Sequence, residues 1–146
     1  MAKFIRSNGP WSQLVRLNNI DLKEIQHQQE NQFPNLLVTP FLVPHRDEFS
    51  ETVGYRIEGP NKTAVFIPDI NKWEAWDQDI AELVQSVDYA LLDATFYADG
   101  ELGSRDMSQI PHPFVSQSMA AFNHLKPEDK DKVWFIHLNH TNPLLN

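Results

Sequence analysis

Three residues of metal-binding type each close a strand-like apolar run. Phe41-Leu42-Val43-Pro44 leads into His45, Ala64-Val65-Phe66-Ile67-Pro68 into Asp69, and Lys132-Val133-Trp134-Phe135-Ile136 into His137. Strand C-termini in an α/β domain open onto one shared crevice, the usual place for a ligand. Two imidazoles and a carboxylate gathered there suit a divalent metal, zinc first, with iron or manganese as alternatives. The chain has no cysteine, so disulfides and thiolate sites are excluded. Any metal must be held by His, Asp or Glu.

Each of these residues also has a plainer reading. His45, in Val43-Pro44-His45-Arg46-Asp47-Glu48, reads equally as a loop histidine in a charged turn, although Pro44 restricts the backbone that aims it. Asp commonly ends a strand as a turn former, and the functional alternative for Asp69 is a carboxylate shared by two cations. His137 lies in an apolar run, where a ring costs free energy unless it is hydrogen-bonded or metal-bound. His140, three residues on, is a candidate for orienting a ligand from behind. His112 stands between Pro111 and Pro113 at an expected helix start. A neutral imidazole there can donate to an anionic oxygen, or it is simply part of a rigid turn. Asp93 closes the run Val87-Asp88-Tyr89-Ala90-Leu91-Leu92 and reads as a support for the site or as a turn cap. A Gly-rich phosphate loop, a nucleophile elbow and a His-Glu-x-x-His helix are all absent.

The elements that must position these residues follow from periodicity. Strands are expected over 36–43, 51–58 and 63–68, the second alternating Val53, Tyr55 and Ile57 with Gly54, Arg56 and Glu58. Gly59-Pro60-Asn61-Lys62 reads as the hairpin turn between the last two. A helix is expected over about 73–87, with Trp73, Trp76, Ile80, Leu83, Val84 and Val87 as one apolar stripe. A buried strand follows at 87–93, then a loop over 96–112. Next come a helix from Pro113 to about His124 with Val115, Met119, Phe122 and Leu125 inward, a charged turn over 126–132, and a last strand over 133–138. Upstream, 7–12 reads as a turn, Leu14-Val15-Arg16-Leu17 as a short strand, and the Gln/Asn-rich stretch 21–35 as a surface excursion. Strands alternating with helices imply an α/β layered domain.

At 146 residues the chain can bury one modest core. Its formal charge of −8, with no basic stripe, argues against a nucleic-acid partner. No apolar run is long enough to span a bilayer, and the start of the chain lacks the apolar core of a signal peptide. A cytoplasmic location is the expectation.

Together these motifs resemble a known family. Val-Pro-His45-Arg-Asp-Glu, Thr52-Val-Gly-Tyr-Arg-Ile and Phe66-Ile-Pro-Asp69 look like the middle of a metallo-β-lactamase-fold hydrolase. Asp93-Ala-Thr-Phe-Tyr, Ile110-Pro-His112-Pro-Phe and Phe135-Ile-His137-Leu-Asn-His140-Thr-Asn-Pro-Leu-Leu are similar, within that superfamily, to the pyrroloquinoline quinone biosynthesis protein B group. The resemblance runs from Asn8 to Asn146. It implies that His45 serves one metal, His137 the other, and that Asp69 bridges them. It implies that His112 assists the leaving group, as in the phosphodiesterase branch, with Asp93 nearby. The mechanism it implies is hydrolysis by two metal ions, zinc by preference, that activate water and stabilise an oxyanion.

The superfamily signature His-x-His-x-Asp-His is absent, and the chain has no His-x-His at all. Residues 1–146 are therefore expected to form a single partial domain, the C-terminal half of an αββα sandwich with a mixed sheet and flanking helices. The N-terminal half would be the missing partner. Alone, the fragment is expected to bind metal weakly, to be inactive as a hydrolase, and to expose one sheet face that favours self-association. Its substrate in the full-length parent would be a small molecule. The alternative from another class is a non-enzymatic carrier for a quinone cofactor or its precursor, with Trp73, Trp76, Phe96 and Tyr97 stacking on a flat ligand. The helical spacing of the two Trp favours the core instead.

Overall fold

A computed structural model describes residues 2–146. Two short helices open the chain, α1 (Ala2–Ser7) and α2 (Trp11–Arg16). A six-stranded mixed sheet follows, β1 (Asn31–Phe33), β2 (Leu36–Leu42), β3 (Val53–Glu58), β4 (Thr63–Ile67), β5 (Tyr89–Asp93) and β6 (Val133–Ile136), with its strands side by side in chain order. Helix α3 (Ile80–Gln85) links β4 to β5; α4 (Val115–Ala121) and α5 (Pro127–Lys130) link β5 to β6.

Strand direction explains why distant residues meet. The pairs β1–β2, β2–β3 and β3–β4 are antiparallel, and β4–β5 and β5–β6 are parallel. Strands β2, β4, β5 and β6 therefore all run the same way, and their C-terminal ends share one edge of the sheet. His45, Asp69, Asp93 and His137 all lie at or just past those ends.

Register separates the two sheet faces. Val65, Ile67, Ala90 and Leu92 are fully buried against Ile80 and Val84 of α3, together with Val87, Phe122 and Leu125. On this face Gly54 faces Phe41, whose ring stacks on Trp76 at 5.9 Å between centroids. A Cβ on Gly54 would lie 2.6 Å from that ring, so any side chain there would have to displace the Phe41 ring from its stack. The opposite face carries Val38, Tyr55, Ile57, Phe66 and Leu91, all only half-buried, and the exposed Trp134. Ile25 and His27 reach part of it near β2, where His27 Nδ1 accepts from the Leu42 amide at 3.1 Å.

Several expectations are corrected. Leu14–Leu17 is not a strand: Trp11–Arg16 is helical, because this short run has no neighbouring strand and closes local hydrogen bonds instead. The excursion over 21–35 contains β1, paired with β2. The helix expected over 73–87 is a 3-10 turn, Trp73–Ala75, followed by α3. Asp79 caps the new start, its Oδ1 accepting from the amides of Ala81 at 2.7 Å and Glu82 at 3.3 Å. The apolar stripe is still inward, since Trp76, Ile80, Val84 and Val87 are core and Trp73 and Leu83 pack against it. Helix α4 starts after Pro113, at an N-cap formed by Phe114. Ser118 takes the inward place expected of Met119, because its hydroxyl is bound by the Trp73 indole N–H at 2.9 Å; Met119 is exposed. The charged turn holds the one-turn helix α5. Strand β6 stops at Ile136 because His137 adopts φ 61°, which no strand continues.

Candidate metal centre

Four strand ends and one loop build the site. Past β2, Pro44 fixes the chain before His45, and its carbonyl accepts from the Asn71 amide at 2.7 Å. That bond draws the segment after β4 alongside. Asn71 Oδ1 then lies 3.2 Å from His45 Nδ1; in the tautomer that carries its proton on Nδ1 it accepts that N–H, and Nε2 keeps its lone pair. That nitrogen lies 3.2 Å from Asp69 Oδ1. The two are close enough for a hydrogen bond, but in that tautomer no N–H is aimed along the line. Asp69 Oδ1 is the one buried side-chain oxygen or nitrogen without a hydrogen-bond partner among the described residues.

Asp93, fully buried at the end of β5, does the opposite. Its Oδ1 accepts from the Thr95 amide at 2.8 Å and the Thr95 hydroxyl at 2.6 Å. Its Oδ2 accepts from the Ile70 amide at 3.2 Å and faces His112 Nδ1 at 2.7 Å. Donation of the Nδ1 proton to this carboxylate leaves His112 Nε2 free. Thr95 Oγ1 also stands 3.2 Å from His137 Nδ1, so its lone pairs steady a second ring.

Two donor clusters result. His45, Asp69 and His112 form one; Asp69, Asp93 and His137 form the other, each with its donor atoms within 4.8 Å of one another. Asp69 belongs to both. Sequence reasoning expected one histidine and one shared carboxylate per ion; the fold adds His112 to the first group and Asp93 to the second. His140 is not brought in: it is exposed, and its ring pairs with Asn139 at 3.1 Å. The donor set fits a divalent ion, because an imidazole nitrogen and an unpartnered carboxylate oxygen lie 3.2 Å apart, a spacing that two ligands of one cation can take. Of the aromatic residues suggested for stacking, Trp73 and Trp76 pack into or against the core, while Phe96 lines a cavity of about 360 Å³ that opens beside His45 and His112.

Asn71, Thr95 and Asn142 were missed from sequence. Asn142 is fully buried and donates to the Ala94 carbonyl at 2.7 Å, tying the segment after β6 to the end of β5. The only available signals were the two-residue offsets Asp69 to Asn71 and Asp93 to Thr95, a spacing common in turns.

Residues 2–138 match the beta-lactamase superfamily domain. This chain belongs to that family. Solved structures agree on the metallo-β-lactamase fold. The zinc-bound PqqB of Methylobacterium extorquens superposes with a TM-score of 0.62 at 24% identity, covering 83% of this chain and 46% of that one. The metallo-β-lactamase fold protein YhfI of Bacillus subtilis gives 0.57 at 15% identity, covering 88% and 50%. In sequence the chain is similar to coenzyme PQQ synthesis protein B of Acinetobacter baumannii strain ACICU, 25% identical over 153 aligned positions. The protein of that name from strain AYE is 24% identical. The alignment with the ACICU protein covers 93% of this chain and 49% of the relative. This superfamily chain thus spans about half the length of the relatives it matches. Among the described residues no helix is long and apolar enough to cross a membrane.

Proposed function

We propose that this chain supplies one side of a divalent-metal site in a hydrolase of the metallo-β-lactamase fold, close in function to the PQQ synthesis protein B group. The observation that carries the reading is Asp69 Oδ1, buried, without a donor, and 3.2 Å from His45 Nε2. In this reading His45, Asp69 and His137 are ligands, Asp69 is shared between two positions, and zinc is the ion the donors suit best. An ion held there would supply Lewis acidity, activating water and neutralising charge that develops on the substrate.

The chain's own residues do the remaining work. Asn71 sets the tautomer of His45. Asp93 and Thr95 hold His112 so that its Nε2 can keep or hand over a proton at the cavity wall. His45 with Asp69, and His137 with Asp69, give two ligands per position, fewer than a metal site takes, so residues 1–146 are proposed to act as one half of a two-layer domain. The second layer would seat on the open face around Phe66, Leu91 and Trp134 and bring further ligands. The substrate would be a small molecule in quinone-cofactor synthesis, the role carried in the relatives' name.

The test is zinc uptake by the purified chain, read by elemental mass spectrometry beside His45→Ala and His137→Ala. Uptake that falls in both variants is expected. Equal uptake in all three, or none by the folded chain in millimolar zinc, would overturn the assignment.

A further inference from the structure

The cavity beside His45 and His112 has a second chemical character that the metal reading does not use. Phe96 and Ile110 give it apolar surface, and Arg46, Arg105 and Gln109 give it a polar rim. At about 360 Å³ it is at the small end of ligand pockets and suits a small molecule rather than a polymer. Neither guanidinium takes part in an ion pair among the described residues, whereas Arg56 is paired with Glu58 at 3.6 Å. Arg6 and Arg16 are also unpaired, but they lie on α1 and α2, away from this cavity. In a chain with 20 acidic and 12 basic residues, two unneutralised arginines on one small cavity run against the average charge. The cavity lining also carries one carboxylate, Asp106, which forms no ion pair with either arginine. Its Oδ1 accepts from the Ser108 amide at 2.9 Å, and hydrogen bonding to Ser108 holds its carboxyl below the usual range.

We infer that Arg46 and Arg105 form a subsite for a second oxyanion of the substrate, held apart from the reacting end at His45 and His112. The inference rests on the metal-site reading for which end reacts. Arg46 follows His45 directly, so the backbone that aims the imidazole also places the guanidinium. Each guanidinium offers a planar fork that matches a carboxylate or a phosphate with two parallel hydrogen bonds. Phe96 and Ile110 line the same cavity, so the ligand that fits it carries an apolar body as well as the anion. Phe96 stands edge-on to His112, 6.2 Å between centroids, so that body begins at the metal cluster itself.

The probes are phenylphosphonate and benzoate, with neutral benzyl alcohol as control, titrated into the full chain and followed by NMR of the arginine Nε–H groups. Both anions are expected to shift Arg46 and Arg105 and to bind about tenfold or more tightly than the alcohol. Arg46→Gln and Arg105→Gln should each weaken the anions roughly tenfold, and the Lys variants less. Arg16→Gln should change nothing. The preferred anion shows whether the natural group is phosphate-like or carboxylate. The same titration in EDTA separates the two readings, since anion binding at the arginines should survive chelation. Unchanged affinity in the double Gln variant, or binding lost on chelation but indifferent to both arginines, would overturn the subsite while zinc uptake still judged the metal site.

Discussion

Replacing Asp69 by Asn should stabilise the metal-free protein and greatly weaken its response to zinc. A buried acceptor left without a donor costs about 1–3 kcal/mol. The Asp69 side chain is 36% exposed and only Oδ1 is sealed from water, so the lower end, about 1 kcal/mol, applies here. In Asp69→Asn an amide N–H placed at the Oδ1 position can donate to His45 Nε2 across the existing 3.2 Å. For a domain of this size 1 kcal/mol moves Tm by roughly 3–5 °C. In EDTA the variant should therefore melt higher than the wild type by about that amount. With zinc at about a hundredfold over its Kd, the wild type should gain about 2.7 kcal/mol, and the variant much less. The order of stability thus inverts between the two buffers. Thermal unfolding in EDTA and in excess zinc measures both arms. A variant that melts lower in EDTA and keeps the full zinc shift would refute the reasoning, for Asp69 would then be structural.

Two further outcomes follow from packing and charge. Gly54→Val should lose about 2–3 kcal/mol in urea unfolding, because the new side chain meets the Phe41 ring, and Phe41→Leu should recover part of that loss; strictly additive effects would show that the ring is not the obstacle. Hydrogen bonds from the Lys62 side chain and the Thr63 amide hold the Asp88 carboxyl below its usual value of 3.8. A depressed carboxyl stabilises the fold above its unfolded pKa, and that contribution disappears as pH falls through the folded one. Asp88→Asn should therefore flatten the stability profile below about pH 4, and an unchanged acid limb would rule the pair out as its cause.

Strands β2 to β6 were legible, because burial of one face writes a period of two into β3 and a dense apolar run into β4 and β5, whereas the polar β1 was not. The helices were legible as inward stripes but not in length. Trp73 to Val87 repeats at helical spacing, yet Asp79 offers its own backbone a cap, and the helix restarts there. Helix α4 shows the same limit, since the hydrogen bond from Trp73 to Ser118 outranks the periodicity that pointed Met119 inward. The placement of His45, Asp69 and His137 at one sheet edge was legible because each follows an apolar strand. Their assembly with His112 was not legible from spacing, because it depends on four strand ends sharing one edge. Asn71 and Thr95 are small polar residues in turns, and their roles exist only once distant rings lie beside them.

The two carboxylates at the centre illustrate why residue type alone leaves the division of labour open. A carboxylate has about four lone-pair positions. Asp93 has them occupied by the Thr95 amide and hydroxyl, the Ile70 amide and the His112 ring. Its bond to Ile70 also pins the segment that carries Asp69. Coordination by Asp93 would have to break one of these bonds in a fully buried place. Asp69 has nothing to break, because its inner oxygen has no donor. On the proposed reading the same chemical group therefore takes two jobs at the ends of two neighbouring strands: Asp93 organises the rings and the loop, and Asp69 presents the charge. His137 falls between them. With φ 61° and its Nδ1 3.8 Å from Asp93 Oδ1, it leans toward the organising carboxylate through Thr95 rather than bonding to it. A ring held by one hydroxyl and otherwise half exposed can turn to meet an ion, whereas His45, fixed by Asn71, already waits in place.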